Sequence, residues 1–479
     1  MTRASSLSPL LIKETRALLP LWAGTMVALA AAFAWRRSPS DIGVVGYVAG
    51  VLAIGAHSIG HEYGHRTLPM MLAQPAPRAR LFAIKFAIVA AMLATLAITA
   101  AVVFTVDGSR VDAPAMMVIL PVLGAVFLAP LFTMICRSTL AGAVLGPSLP
   151  MTVWVVTLLV AWWGFGVDGD TVTAWFVNQW VIVAALACPI LAALTWQTFS
   201  RLEAVEGTPA TLTLPRWMHA RAGVRRAARW RALIMKEIHL QQMTIAITLF
   251  YGVIWWMGVG LQDTVPSAVA LPLEAVLLLY CLGLAIVIGA LASAEERQQG
   301  TLEVQLLQPV SALAQWAVKC VVALSLAVLL GAGLPVVLIT VVSLNSGSNP
   351  IVGMSLTLVL LVIMLTSSSL YISSLVDSGV KAMTWSLPAG VGAAMFIQTT
   401  RTAIASASSR LGNPVPADTA EASMVASQVL TLLLVPVLLW FGFINHTAAE
   451  HPWRRTLAQV ATLALLMAVG VFAAGALIP

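Results

Sequence analysis

Apolar residues run along this chain in blocks of about twenty, separated by short polar segments, and the blocks show no apolar/polar alternation. About 20 apolar residues suffice for a helix to cross the hydrocarbon of a bilayer. Helices are the expected spanning element, because lipid offers backbone groups no hydrogen-bond partners. Missing alternation argues against a membrane β-barrel. The pattern predicts spans at about 17–35, 43–60, 82–106, 114–135, 140–165 and 173–195. A second set is predicted at about 243–261, 269–292, 317–342, 352–375, 382–400 and 423–445, with a last apolar run at about 457–477.

Composition strengthens this reading. The 479 residues are 60% hydrophobic and 9% charged, against about 25% charged in a soluble domain. The net charge is +7. With a cytoplasmic N-terminus, most Lys and Arg fall on the cytoplasmic side, as orientation by positive charge requires; the pair Arg36-Arg37 is among the few that fall outside. The charge therefore reads as a membrane anchor, and nucleic acid is not an expected partner. The expected location is a bacterial-type cell (inner) membrane, with many passes. An Ala-rich stretch at 21–35 could pass for a signal-peptide cleavage region, but an equivalent segment recurs deep in the chain. Cys136, Cys188, Cys281 and Cys320 stand singly in or beside apolar spans and read as small core residues. Trp22, Trp35, Trp162, Trp163, Trp255 and Trp256 lie near span ends, where interfacial anchors belong.

The chain repeats itself. The segment from Glu62 to Lys85 aligns without a gap on that from Glu296 to Lys319. Glu62, Thr67, Leu68, Leu72, Gln74, Pro75, Ala83 and Lys85 match Glu296, Thr301, Leu302, Leu306, Gln308, Pro309, Ala317 and Lys319. Upstream, Leu10-Leu11-Ile12-Lys13-Glu14 resembles Leu233-Ile234-Met235-Lys236-Glu237. The predicted division is a first six-span unit at 1–195, a basic cytoplasmic linker at 196–230, a second six-span unit at 231–445, and a cytoplasmic turn with an extra C-terminal span at 446–479. Six is even, so both units share one orientation, a parallel repeat. The expected fold class is an all-α polytopic membrane protein with about 12–13 transmembrane helices in two parallel-repeat six-helix units, plus interfacial and coupling helices.

The linker carries Arg216, Arg221, Arg225, Arg226, Arg229 and Arg231 and leads into Trp230, Leu233, Ile234 and Ile238, spaced as one helix face. A basic helix with an apolar stripe is expected to lie in the membrane interface, its Arg facing anionic headgroups. The repeated segment at 62–75 and 296–309 reads as a short cytoplasmic helix between two bends, stopped at Gln-Pro. It is joined to two spans and suits docking of a partner that drives span movement.

In these residues the chain resembles the permease subunits of type 2 ABC exporters. The second copy fits through Glu296, Gly300-Thr301-Leu302-Glu303, Leu306-Leu307, Pro309, Ser311 and Lys319; the first has Arg66 in place of the Gly but keeps Thr67-Leu68, Leu72, Pro75, Arg78, Arg80 and Lys85. The resemblance implies an ATPase-coupling role for Glu62, Thr67, Leu68, Leu72, Pro75, Glu296, Gly300, Thr301, Leu302, Leu306 and Pro309. It implies elbow helices at Lys13, Glu14, Trp230, Lys236 and Glu237. It further implies separate ABC ATPase subunits, two copies, holding the ATP and Mg. The chain has no GxxxxGK[ST] loop of its own and is expected to bind no cofactor and to perform no catalysis. Membrane lipid and an unidentified small-molecule or lipid cargo complete the expected partners.

Other features compete with this reading. His61-Glu62-Tyr63-Gly64-His65 matches H-E-x-x-H, in which His61 and His65 would bind zinc and Glu62 would activate water. The second copy has no His there, and Asp107 and Asp168 fall in predicted outer loops. An intramembrane zinc metalloprotease is thus one alternative, and an ion-coupled secondary transporter another. Glu274, in the outer part of a span after Pro272, is a candidate substrate-path acid. Thr366, Ser367, Ser368, Ser369, Ser373 and Ser374 are expected to pack helices. Asp377 and Lys381 form an i,i+4 surface pair.

Overall fold

The structure, a computed structural model, describes residues 7–34, 41–64, 67–74, 76–106, 114–139, 142–143, 145–146, 169–202, 226–262, 266–298, 310–346, 352–390, 392, 417–448 and 453–476. Among them every element is a helix. In chain order these are α1 (Leu7–Ala34), α2 (Asp41–Gly64), α3 (Leu68–Leu72), α4 (Arg78–Val106), α5 (Pro114–Leu123) and α6 (Ala129–Cys136). They continue with α7 (Gly169–Ser200), α8 (Arg226–Leu240), α9 (Gln242–Gln262), α10 (Pro266–Gln298), α11 (Ala312–Leu326) and α12 (Leu334–Ser346). Last come α13 (Val352–Ser373), α14 (Ala417–His446) and α15 (Trp453–Ala476). A further helical stretch covers 379–390.

Apolar runs of Ala, Leu and Val have become these helices, since they offer long helix-forming stretches whose backbone groups pair internally. Among the described residues four helices are long and apolar enough to cross a membrane: Arg78–Phe104, Val118–Cys136, Ala312–Thr340 and Gln428–His446. The bent pair Trp230–Leu240 and Gln242–Trp256, turned by 55°, would make a fifth. This set is compatible with a multi-pass membrane protein. Most of the expected span at 140–165, and the later part of that at 382–400, lie outside the described residues.

Two of these four helices are interrupted by π-helical turns, Gly124–Leu128 between α5 and α6 and Ala327–Gly333 between α11 and α12. Pro121 and Pro130 flank the first and Pro335 follows the second. Proline removes an amide donor from the ladder, and a widened turn re-pairs the remaining carbonyls. The two elbows also differ. Before the second set of spans, α8 and α9 meet at a sharp bend by Gln241, whereas Lys13 and Glu14 lie in one continuous helix with the first apolar run, with Pro20 inside it.

The chain divides into two compact units, one of Met1–Pro215 with Ile245–Leu279, the other of Arg216–Thr244 with Tyr280–Pro479. In the first, α2 is the central helix, and Tyr47, Val51, Ile54 and Ile59 are fully buried. Gly55 makes this packing possible: a Cβ there would lie 2.1 Å from the backbone oxygen of Ala125 in the π turn. Tyr47 donates to the Val118 carbonyl at 2.9 Å, so its hydroxyl is satisfied inside an apolar core.

In the second unit, α10 and α13 approach closely at Gly289, where a Cβ would lie 2.6 Å from that of Ser369. Ser369 donates to the Ile286 carbonyl at 2.7 Å, Thr366 to that of Ala285 at 3.3 Å, and Ser386 to Ser369 at 3.0 Å. The expected Ser/Thr cluster is buried and serves close helix packing.

Candidate functional site

The site is built from three segments of each unit: the elbow, the end of the helix preceding the short repeated segment, and the start of the helix following it. In the first unit, α2 ends at Gly64, and Thr67 caps the five-residue α3, its backbone N–H donating to the Glu62 carbonyl at 2.9 Å. Pro69 fits the first turn of α3, where no amide donor is needed. Leu68 and Met71 are buried against Ile59, Leu81, Met134, Phe199 and Leu202. Met70, on the opposite side, is 74% exposed.

Beneath α3 lies a buried cluster of charges. Lys85, near the start of α4, places Nζ 2.7 Å from both carboxylate oxygens of Glu14 and 3.1 Å from Oε1 of Glu62. It also lies 3.4 Å from the Ser58 carbonyl. Lys13 reaches Glu62 Oε1 at 2.8 Å. The Thr67 hydroxyl donates to Glu62 Oε2. His61 holds its Nδ1 2.9 Å from the His57 carbonyl and its Nε2 3.2 Å from Glu62 Oε1. Glu14, His61, Glu62 and Lys85 are all buried.

The second unit repeats the arrangement. Lys319 Nζ lies 3.1 and 3.0 Å from the oxygens of Glu237 and 3.0 Å from Glu296 Oε2. It donates to the Ala292 carbonyl, which occupies the place of Ser58 relative to the following glutamate. Lys236 pairs with Glu296, as Lys13 pairs with Glu62. Four positions thus recur with the same partners: Lys13/Lys236, Glu14/Glu237, Glu62/Glu296 and Lys85/Lys319.

Removing charges from water costs several kcal/mol per ion, so a buried set persists only when each charge has partners. Two carboxylates and two ammonium groups balance in each unit. Burial alone raises the carboxyl pKa of Glu62, but the bond from His61, the charge of Lys85 and the donors Lys13 and Thr67 hold it far below the ordinary carboxylate range. Glu296 is also lowered: burial opposes its ionisation, and Lys319 and Lys236 overcome that. Glu237 is raised by burial, which Lys319 only partly offsets, and by the charge of Glu296.

Each elbow helix turns a glutamate inward while Lys13, Arg16 and Arg231 stay exposed. Glu14, Leu18, Leu21 and Thr25 are buried, while Leu11, Ile12 and Leu19 are exposed. On α8, Leu233 and Glu237 are buried, and Trp230 and Ile234 are exposed. The single apolar face expected for Trp230, Leu233, Ile234 and Ile238 is divided, because Leu233 turns inward with Glu237.

Glu14, His61 and Glu62 bring ligand atoms within 4.8 Å of one another, the grouping that a cation site requires. The Lys85 ammonium already lies against both carboxylates, where a divalent ion would have to displace it. Glu62 is further held by Lys13 and Thr67, which opposes its use as a base toward water. His65, Pro75, Gly300, Thr301, Leu302, Leu306 and Pro309 lie outside the described residues, as does the side chain of Glu274.

Sequence reading used Lys85 and Lys319 only as markers of the repeat; their central place became visible when the glutamates proved to be buried. It also missed a polar junction in the second unit. Gln459 of α15 exchanges amide hydrogen bonds with Asn445 of α14 at 3.0 and 3.1 Å, and the Tyr371 hydroxyl of α13 donates to Gln459 Oε1 at 3.1 Å. Arg297 donates to the Asn445 carbonyl at 3.0 Å, and His446 stacks obliquely near Trp316 with ring centroids 5.1 Å apart. A Gln and an Asn within otherwise apolar stretches were the available signal. Asp377 and Lys381 form the expected exposed pair at 2.8 Å.

No family model, curated protein or solved structure matches this chain.

Proposed function

We propose that this chain is the membrane-spanning subunit of an ATP-driven transporter of the ABC type, acting in export. It would comprise two six-span units fused in one chain, twelve spans with a thirteenth at the C-terminus, in a cell membrane with the N-terminus cytoplasmic. Two separate ATPase subunits would dock on the short segments at 62–75 and 296–309. The observation that carries this reading is the recurrence of one four-residue ion cluster in both units, at the root of that segment each time.

The cluster is suited to transmitting motion. It ties the elbow to the ends of two consecutive helices flanking α3, so force on α3 reaches all three together. Glu62 and Glu296 would act by holding the docking segment in place. Met70, exposed on α3, is the side chain offered to an ATPase in the first unit. The rival reading as an intramembrane metalloprotease requires a water-activating Glu62, a role its three cationic and hydroxyl partners oppose. The other rival is an ion-coupled carrier, for which transport would proceed without ATP.

The test is purification of the tagged chain from its native membrane in a mild detergent. The expected result is a co-purifying subunit with a phosphate-binding nucleotide loop, at two copies per chain, and Mg-ATP hydrolysis by the complex. Zinc at one equivalent per chain with no such subunit would overturn the reading, as would transport by the chain alone without ATP.

A further inference from the structure

The ends of α2, α6 and α7 enclose a cleft of about 380 Å³ lined by Tyr63, Met134, Ile135, Arg137, Gln197 and Arg201, among others. It lies within the first unit and shares no residue with the ion cluster. Its shape depends on two local devices. Arg137 terminates α6 in the left-handed region, with φ of 51°, and among the described residues it is the only non-glycine there. A side chain in that conformation is unfavourable by about 1 kcal/mol or more and tends to occur where function requires it. Arg78 donates to the Ser200 carbonyl, which fixes the end of α7 beside Arg201.

The lining chemistry is one-sided. Among the described residues the lining holds two arginines and no carboxylate, and there neither Arg137 nor Arg201 forms an ion pair. Planar, forked guanidinium donors match phosphate oxygens. Tyr63 and Gln197 add neutral hydrogen-bonding groups. Met134 and Ile135 add apolar lining, and Ile135 is 59% exposed. The crossing helix Val118–Cys136 ends at this point, so the cleft lies where hydrocarbon gives way to headgroups, with an apolar flank turned toward lipid.

We propose that this cleft binds the phosphate of an anionic phospholipid, with Arg137 and Arg201 on the phosphoryl oxygens and the acyl chains running along Ile135. The apolar flank favours a lipid over free phosphate. The proposal rests on the membrane-spanning reading of α5 and α6 and is independent of the transporter reading.

An arginine near an anionic lipid surface contributes roughly a fivefold affinity factor. Binding of phosphatidylglycerol to the full chain in detergent, followed by native mass spectrometry, is expected to weaken by roughly thirtyfold in the Arg137→Gln/Arg201→Gln variant. Phosphatidylcholine is expected to bind weakly to both proteins, and inorganic phosphate is expected not to displace the lipid. Undiminished phosphatidylglycerol binding by the variant would overturn the proposal. Displacement by millimolar phosphate would reassign the cleft to free anions and overturn the lipid claim. If the variant does not fold, a photoactivatable phosphatidylglycerol added to the wild-type chain decides the matter. Adducts at 134–137 and 197–202 are expected, and adducts confined to other segments would sink the idea.

Discussion

Lys85 Nζ stands 2.7 Å from each carboxylate oxygen of Glu14, 71 residues away in the chain, and both side chains are buried. Breaking a buried pair strands a charge and costs about 3–5 kcal/mol, whereas replacing both members by apolar groups of similar size is often neutral. Lys85→Met alone is therefore expected to lower the stability of the chain by about that much, and Glu14→Leu/Lys85→Met to recover most of the loss. Reversible unfolding in mixed micelles measures both. A single variant as stable as wild type would contradict the assignment of a buried, interdependent pair.

Acid should act on this cluster through Glu62. Its folded carboxyl lies far below the ordinary range, held there by His61, Lys85, Lys13 and Thr67 against the effect of burial. A depressed folded pKa contributes stability that is fully present above the unfolded value, about 4.3. That stability is lost as pH falls through and below it, because the unfolded chain takes up the proton first. The melting midpoint is expected to drop between about pH 5 and pH 3. Glu62→Gln should be less stable at neutral pH and should flatten this slope. An unchanged slope in the variant would refute the role given to Glu62.

Reading the residues in order revealed much of this architecture and left some of it hidden. Long apolar runs produced helices wherever the structure describes them, because in such runs only a helix satisfies the backbone internally. The alignment of the two copies brought out all four cluster positions. Periodicity did not reveal that Glu62 and Glu296 face inward. A polar residue at the end of an apolar helix looks alike whether it meets water or a buried ammonium, and only long-range pairing decides. The junction of Gln459 with Asn445 escaped for the same reason, its partners coming from separate helices.

That junction predicts a role for the last helix. Gln459 and Asn445 satisfy each other's amides, and Tyr371 adds a third bond. Gln459→Ala leaves a buried amide without its partner, at a cost of about 1–3 kcal/mol. Proteolysis of the linker before α15 is expected to become faster in this variant while the remaining chain stays folded. Equal cleavage rates would show that α15 is held by other contacts.

Glycine packing gives a paired test. Gly55→Ala would drive a methyl group against the Ala125 backbone, whereas a Cβ at Gly252 meets nothing within 4 Å. Overpacking a tight contact costs about 1–3 kcal/mol, while alanine for glycine in an open helix position stabilises by up to about 1 kcal/mol. Thermal melting should therefore separate the two variants in opposite directions. Equal shifts would contradict the close approach of α2 to the π turn.

The central claim is that α3 presents a docking point to an ATPase subunit, and Met70 is the side chain to question. A photoreactive phenylalanine analogue replacing Met70, which is 74% exposed, can be compared with one replacing Ile98, 66% exposed on the spanning helix α4. Irradiation of native membranes is predicted to join position 70 to a nucleotide-binding ATPase and to leave position 98 joined to lipid alone. No ATPase adduct at position 70, or the same adduct at both positions, would contradict the account.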